Sequence, residues 1–336
     1  MRLWYLYGIF LYTFSHSGWA DVSDAREALS KSDEDATQEK SLEEVFEATE
    51  NSYSLMKKGQ TSMSYSMSYS YTADQRLNIE FSGNSIRAFD VTPSATHNLT
   101  NNFSFDFGYL NNLTLGLSVP LVTKYDTADS LSGAGIGDVS VNARWQPYAY
   151  VPGELSRTVT GSFKTKTGGS PFRTIAGKNL PIGSGYYSLS GGMSINKVVD
   201  PVMLFGSTSL SYAIPEKDVN QVRSGQLLEE VHPGVSVAMS GGFAYSLSYD
   251  VSLSMSFQGS YSDKSKYIFR NGGVAETAST MSGVMNFSLG IRVSPTTITN
   301  VGVGFGLTED SPDIMLSLSM PISLNGLKAK FEPASS

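Results

Sequence analysis

Large side chains alternate with small polar ones over long stretches of this chain. In "TSMSYSMSYSY" (residues 61–71), methionines and tyrosines alternate with serines. The same period of two recurs in "LTLGLSVPL" (113–121), "SLSYDVSLSMSFQGSY" (246–261) and "NVGVGFGL" (300–307). Successive side chains of a β-strand point to opposite faces. The pattern therefore predicts strands with one large apolar face and one small polar face.

The connections between these strands alternate in length. Short turns fall near residues 110–112, 150–154, 198–201, 246–250 and 294–297, and longer polar stretches fall near 82–94, 125–135, 169–184, 216–231 and 264–278. A short connection near 309–312 stands where a longer one is expected. The predicted strands number twelve: 61–81, 95–109, 113–124, 136–149, 155–168, 185–197, 202–215, 232–246, 250–263, 279–294, 298–308 and 313–324. The first is overlong and has a candidate bend at "TADQ" (72–75).

Low charge favours a membrane barrel over a soluble β-sandwich. Charged residues make up 16% of the 336 residues, against about a quarter in typical soluble proteins. In a bilayer every backbone amide needs a partner, so a sheet must close on itself. Short turns that alternate with longer loops are typical of outer-membrane barrels. The sequence predicts an all-β fold: a transmembrane antiparallel β-barrel of about 12 strands, with a short N-terminal periplasmic or plug α-helix.

Charged residues within the predicted strands favour one face. Apolar residues there fall mostly at odd numbers, whereas nine charged residues fall at even numbers, which assigns them to a hydrated lumen. These predicted lumen-lining residues are Arg76, Glu80, Asp106, Lys124, Asp138, Arg144, Lys164, Lys166 and Arg292. A lysine or arginine that faced lipid at the bilayer midplane would cost about 2–4 kcal/mol. Lys164, Lys166 and Arg144 form either a basic stripe that helps anions pass or part of a charge balance with the acidic members.

Aromatic residues gather near the predicted strand ends. The set comprises Phe107, Tyr109, Trp145, Tyr148, Tyr186, Tyr187, Tyr212, Tyr245 and Tyr261. Amphipathic rings suit the level of the lipid headgroups, so the set predicts interfacial girdles. The alternative is the ordinary preference of aromatic residues for strands.

The N-terminal part of the chain differs in texture from the barrel. Residues 1–20 combine Arg2, an apolar core and small residues before Ala20, which predicts a signal peptide; a membrane anchor is the alternative. Residues 21–58 carry eleven acidic and five basic residues. Within them, a helical stripe predicts an amphipathic helix over 41–58, and its stripe residues include Leu42, Val45, Phe46, Tyr53 and Met56. The helix is a periplasmic spacer, a plug or half of a short coiled coil, and residues 59–336 form the barrel.

Little in the sequence favours catalysis or a cofactor. The absence of cysteine excludes disulfides, thiolate metal sites and a cysteine nucleophile, and the net charge of −7 argues against nucleic-acid binding. "GAGIGD" (133–138) lacks the strand–loop–helix context of a nucleotide site and is interpreted as a flexible loop that leads into a strand. We therefore predict no cofactor, no metal site and no enzymatic activity. His97 has an odd number and is therefore assigned to the outer face, so a lipid-modifying barrel enzyme remains the alternative.

Several stretches carry a family resemblance. They are "NNFSFDFGYLNNLTLGLSVPLV" (101–122), "GAGIGDVSVNARWQ" (133–146), "LPIGSGYYSLSGGMSINKVVDPVMLFGSTSLSYAI" (180–214) and "IMLSLSMPISL" (314–324). They resemble the outer-membrane proteins grouped as the "MetA-pathway of phenol degradation" family. Within that group, residues 42–71 look like the helix-to-barrel junction of the channels that export functional-amyloid subunits. The resemblance implies a trimeric, twelve-stranded barrel with a periplasmic coiled coil and a helical plug.

The leading hypothesis is a passive channel in the outer membrane of a bacterium, with its N-terminal segment in the periplasm. One version exports unfolded amyloid subunits, and the other takes up small aromatic or other hydrophobic compounds. Expected partners are outer-membrane lipid, a homotrimer of the chain, and one of these two cargoes. Gene neighbourhood separates the versions, since fibril subunits favour export and ring-cleavage enzymes favour uptake.

Overall fold

The computed structural model describes residues 55–82, 85–149, 151, 153–174, 179–199, 201–223, 225–248, 250–294 and 297–322. The predicted signal peptide and most of the predicted helical segment lie outside these residues. Among the described residues, no helix is long and apolar enough to cross a membrane.

The described residues form seventeen β-strands. In chain order they are β1 Thr61–Ser82, β2 Ser85–Leu110, β3 Leu113–Asp126, β4 Leu131–Ile136, β5 Ser140–Trp145, β6 Ser156–Lys164, β7 Ser188–Val199, β8 Val202–Ala213, β9 Gln221–Arg223, β10 Gln226–His232, β11 Ser236–Ser248, β12 Val251–Ser262, β13 Lys266–Phe269, β14 Val274–Glu276, β15 Thr280–Ser294, β16 Thr297–Gly306 and β17 Ile314–Ile322.

Thirteen of these strands close into one antiparallel barrel. The order around it is β2, β1, β17, β16, β15, β12, β11, β8, β7, β6, β5, β3 and β4, and the pairing of β2 with β3 completes the ring. β4 and β5 both pair with β3, at its end and its beginning respectively, so together they make one strand of the wall. The predicted twelve-stranded barrel is thus confirmed. Closure removes the long unpaired edges that an open sheet would carry, and only the short β4 keeps a side without a strand partner among the barrel strands.

Three predicted details of the strands were wrong. Residues 82–94 are not a long connection, because β1 and β2 stay paired as far as Ser82 and Ser85, with no break at "TADQ". Residues 125–135 are mostly strand, and residues 127–130 alone form the turn between β3 and β4. The predicted strand over 136–149 begins earlier and is interrupted at residues 137–139. Turn-forming residues marked the connections, but cross-strand pairing extended the strands beyond them.

Pro120 on β3 accounts for the interruption between β4 and β5. The Pro120 carbonyl accepts a hydrogen bond from Gly137, so the residue faces this neighbour without an N–H to offer it. The regular ladder stops there, and residues 137–139 keep single bonds on each side: Gly137 donates to Pro120, and Val139 accepts from the amide of Thr165. The "GAGIGD" segment is therefore a strand that leads into a break, and the interpretation as a flexible loop was wrong.

The outer face of the barrel is a belt of exposed apolar side chains. Residues at odd positions supply it on most strands, including Leu117, Phe163 and Phe257. On β8 and β17 the parity is reversed, and the exposed apolar residues have even numbers, such as Leu210 and Leu316. Exposed aromatic residues lie near both ends of the belt: Phe107, Tyr109, Trp145 and Tyr148 towards the short turns, and Tyr125, Tyr187, Tyr212 and Tyr261 towards the longer loops. Both features suit a surface covered by lipid.

The predicted long loops over 216–231 and 264–278 contain a second sheet. β9, β10, β13 and β14 form it, and it lies within the connections that follow β8 and β12. Phe172, from the connection after β6, packs with Leu228 and Val231 of β10 in a small hydrophobic core. A hydrogen bond from His232 lowers the pKa of the Glu230 carboxyl on the same strand. The end of the barrel opposite the short turns therefore carries an ordered structure rather than irregular loops.

Candidate functional site

The inner face of the barrel is lined by small polar side chains. Serine hydroxyls on adjacent strands pair directly across it, at 2.7 Å for Ser207 and Ser240 and 2.6 Å for Ser254 and Ser288. Opposed residues in an antiparallel pair share one face, so each such pair repeats the serine face predicted from residues 61–71. Because these hydroxyls bond to one another, these parts of the wall are polar but uncharged.

Asp106 and Arg144 form an ion pair on this inner face. The Arg144 Nη2 atom lies 2.9 Å from Asp106 Oδ1, and the two side chains are 10% and 11% exposed. The pair bridges β2 and β5 across Gly116 of the intervening strand β3. Their burial means that each charge depends on the other for stabilisation.

Near the short turns, the inner face is buried all the way from β3 round to β16. We name this set the inner ring: Thr114, Arg144, Thr158, Ser194, Phe205, Ala244, Ser254 and Asn300. The outward residues beside them on the same strands, such as Leu115 and Leu253, are exposed. Ala244 is buried by its neighbours Met203 and Phe205, and Ser254 bonds to Ser288, so wall side chains cover one another at this level.

The chain enters the barrel across the inner face at this end. The Met56 amide donates a hydrogen bond of 3.2 Å to the hydroxyl of Thr114, which is fully buried. Gly59 and Gln60 then pair with Gly108 at the end of β2. Any side chain at position 108 would collide with the carbonyl of Lys57, so the close approach requires glycine there. The segment before β1 thus reaches the wall from inside the barrel rather than from its outer face.

The predicted helix over 41–58 does not extend to Lys58. Residues 55–57 have no regular structure, and residues 58–59 form a turn with Gly59 at a φ of 81°. The amides of Met56 and Lys58 bond to side chains of the barrel instead of to preceding carbonyls. The other stripe residues, Leu42, Val45, Phe46 and Tyr53, lie outside the described part of the chain.

Four of the predicted lumen-lining charges lie beside or within the connection between β6 and β7. Lys124 and Asp138 bond to it directly. The Lys164 ammonium lies 5.5 Å from the centre of the Tyr186 ring, and Lys166, which lies beyond the end of β6, forms a 2.6 Å ion pair with Glu216. These charges therefore interact with protein groups rather than forming an unpartnered basic stripe.

Tyr186 marks a crowded, partly desolvated environment at this end of the barrel. Burial raises the pKa of its hydroxyl, and the nearby Tyr267 and Asp138 raise it further. The residue was predicted to belong to an outward girdle, but it packs against the cluster of Phe172, Leu228 and Val231. That prediction was wrong, and the following residue, Tyr187, is the exposed one.

Arg292 is the one remaining predicted lumen residue whose side chain the structure describes. Arg292 lies opposite Ile298, which is buried on the inner face near the short turns. Arg76 and Glu80 belong to the outer continuation of β1, and their side chains lie outside the described part of the structure. Sequence reasoning missed Thr114, Gly108 and Glu216, because their roles depend on contacts between residues more than forty positions apart.

His97 lies among phenols on the outer face. Its Nδ1 atom is 2.8 Å from the Tyr69 hydroxyl, and its opposed neighbours on β1 and β3 are Tyr71 and Tyr125. A lipid-hydrolysing site would need a serine hydroxyl within hydrogen-bond reach of this ring. The nearest cross-strand positions hold tyrosines, so this local geometry does not favour the lipid-modifying alternative.

Solved structures of other proteins share the fold of this chain. No family model matches the chain. An outer membrane channel from Pseudomonas putida F1 aligns over 81% of this chain and 98% of its own, with 12% sequence identity and a TM-score of 0.61. The transport unit of the autotransporter AIDA-I from Escherichia coli aligns over 85% of this chain and 98% of its own, with 12% identity and a TM-score of 0.48. The first likeness shows that the chain has the fold of an outer-membrane β-barrel.

Proposed function

We propose that the chain is a passive outer-membrane channel whose substrate crosses through the barrel interior. One observation carries the proposal: a closed ring of strands is apolar and exposed outside, but lined inside by paired hydroxyls. A lipid-covered exterior and a polar interior are what a transmembrane pathway requires. In this orientation the short turns lie in the periplasm and the second sheet lies at the cell surface.

The proposed resting state is closed from the periplasmic side by residues 21–54. Met56 lies against the inner face at Thr114, so the preceding chain starts within the barrel mouth. The inner ring lies at the same level, so a segment that entered here would lie against small and polar side chains. These contacts favour a plug over a free periplasmic spacer or coiled coil.

Export of unfolded, Gly/Ser/Asn-rich polypeptides is the proposed transport activity. The resemblance of residues 42–71 to amyloid-subunit export channels suggests this cargo. The inner wall fits it, because side chains such as Ser207 and Ser240 offer hydroxyls but no charge that would hold a polar chain tightly. Uptake of small hydrophobic compounds is the second candidate, also suggested by the family resemblance. It would need an apolar stretch along the path, which the Met203, Phe205 and Ala244 cluster on the inner face supplies in part.

Current block in planar bilayers distinguishes the two cargoes. An unfolded Gly/Ser/Asn-rich polypeptide, added on the side of the short turns, is expected to interrupt the current in resolvable events. A charged, Glu/Lys-rich polypeptide of equal length serves as the control and should interrupt it less. Block by a monoaromatic solute without block by either polypeptide would instead favour uptake. Absence of any channel current, even after removal of residues 21–54, would contradict both versions.

A further inference from the structure

The connection between β6 and β7 turns back into the barrel. We name residues 165–174 and 179–187 its inward arms. The second arm runs along the inner face of β4, where the Leu180 amide donates to the Ser132 carbonyl at 3.2 Å and Ile182 packs over Gly135. A side chain at Gly133 would collide with the Leu180 carbonyl, so glycine allows the arm to lie directly on the wall.

Asp138 holds both inward arms at once. Its Oδ1 atom accepts from the Gly168 amide at 3.0 Å, and its Oδ2 atom accepts from the amide and the hydroxyl of Ser184 at 2.7 and 2.6 Å. Hydrogen bonds to a carboxylate are shorter and stronger than those between neutral groups. One side chain thus fastens residues sixteen positions apart in the same connection.

The position of Asp138 follows from the break in the wall. It belongs to residues 137–139, where the strand is interrupted opposite Pro120, and its carboxylate lies on the side of the wall where the arms pass. Thr165 and Thr167 of the first arm both bond to the backbone of the same break, through Val139 and Gly137. The "GxGD" part of the family-like segment 133–146 therefore has a physical role: glycines admit an arm, and the aspartate fastens it.

Two further contacts connect the arms to the barrel and to the second sheet. The Lys124 ammonium donates to the Pro181 carbonyl at 3.0 Å, from the β3 side of the wall. Phe172 of the first arm is buried against Leu228 and Val231 of the second sheet. The arms are consequently held from three directions at the end of the lumen that faces the cell exterior.

We propose that Asp138 is a positioning residue that keeps the inward arms folded against the wall, where they set the size limit for whatever passes the outer mouth. The inference rests on the proposed channel function, and it concerns a different end of the barrel from the N-terminal plug. The size limit depends on the arms because they occupy space that the wall side chains, largely glycine and serine here, leave open. Loss of the carboxylate removes the contact that both arms share and so loosens them together, while Lys124 and Phe172 still hold them in part.

Replacement of Asp138 by alanine in the full chain tests this in two ways. In liposomes, the rate of tetrasaccharide entry relative to monosaccharide entry is expected to rise about tenfold, a change equivalent to about 1.4 kcal/mol. In detergent, trypsin should cleave after Lys166 several-fold faster, because Gly168 beside it is no longer held. D310A is the matched control, since the Asp310 carboxylate likewise accepts from a backbone amide, that of Met281, at the outer end of the barrel.

A milder variant still tests the proposal if D138A does not fold. Ser184→Ala removes one donor to Asp138 and leaves the two backbone amides in place, so it should shift both readouts in the same direction by less. An unchanged cleavage rate in D138A would contradict the proposal that Asp138 fastens the inward arms. Faster cleavage with an unchanged sugar ratio would contradict their size-limiting role. If no sugar enters with any variant, including the parent and the chain without residues 21–54, the channel proposal fails, while the cleavage rates still decide whether Asp138 fastens the arms.

Discussion

Removal of residues 21–54 is expected to raise the single-channel conductance several-fold. The deletion leaves Leu55–Gln60 in place, so the pairing of Gly59 and Gln60 with Gly108 at the start of the barrel is kept. The reason for the increase is steric: Met56 lies against the inner face at Thr114, and the proposed plug would continue from there into the lumen. Planar-bilayer recordings of the refolded protein, with and without the segment, measure the effect.

A peptide of residues 21–54 provides the control for that deletion. Added to the deletion variant on the side of the short turns, it should lower the current again, whereas a scrambled peptide should not. Thr114→Val keeps the side-chain volume but removes the acceptor of the Met56 amide, and should cause a smaller increase in the full chain. Equal conductance and gating with and without residues 21–54 would exclude the plug and leave the spacer or coiled coil.

Arg144→Ala is expected to cause the largest loss of stability among changes to the inner face. The Asp106 carboxylate is 11% exposed and would remain in the wall without the guanidinium that now lies 2.9 Å away. Removal of one partner of a buried ion pair typically costs about 3–5 kcal/mol. Thermal unfolding in detergent micelles, followed by circular dichroism, would show a clearly lowered midpoint.

The double variant Asp106→Asn, Arg144→Gln tests whether the charge or the contact is responsible. It replaces both charged groups by neutral amides, so no unpaired charge remains, and most of the lost stability should return. Additive losses in the double variant would mean that the two side chains act independently, contrary to the ion pair described in the barrel wall.

The barrel was predictable because its pattern is local. Met63, Tyr65 and Met67 alternate with serines, and this period of two identifies a strand and its outward face without knowledge of its neighbours. The extension of β1 and β2 was not predictable, because polar residues near 82–94 resemble a loop until pairing fixes them as strands. The second sheet was missed for a similar reason: Leu228 and Val231 are buried by Phe172, more than fifty residues away.

Parity identified candidate charges but not their partners. It grouped Asp106, Arg144 and Asp138 on one face, and the structure joins the first two in an ion pair. It gave no indication that Asp138 would fasten the connection after β6, because Ser184 carries no sequence signal and its proximity depends on how the chain folds back. Function depends on these distant contacts, whereas the strands depend on near neighbours.

Labelling of single cysteines most directly tests the central claim that the barrel is lipid-covered outside and hydrated inside. The chain contains no cysteine, so Met67→Cys and Ser68→Cys place one thiol on each face at adjacent positions of β1. In liposomes, a charged, membrane-impermeant maleimide is expected to label the cysteine at position 68, while the one at position 67 reacts only after unfolding in detergent. Equal labelling of both thiols, or faster labelling at position 67, would contradict the barrel's assignment to the membrane and the transport proposals that depend on it.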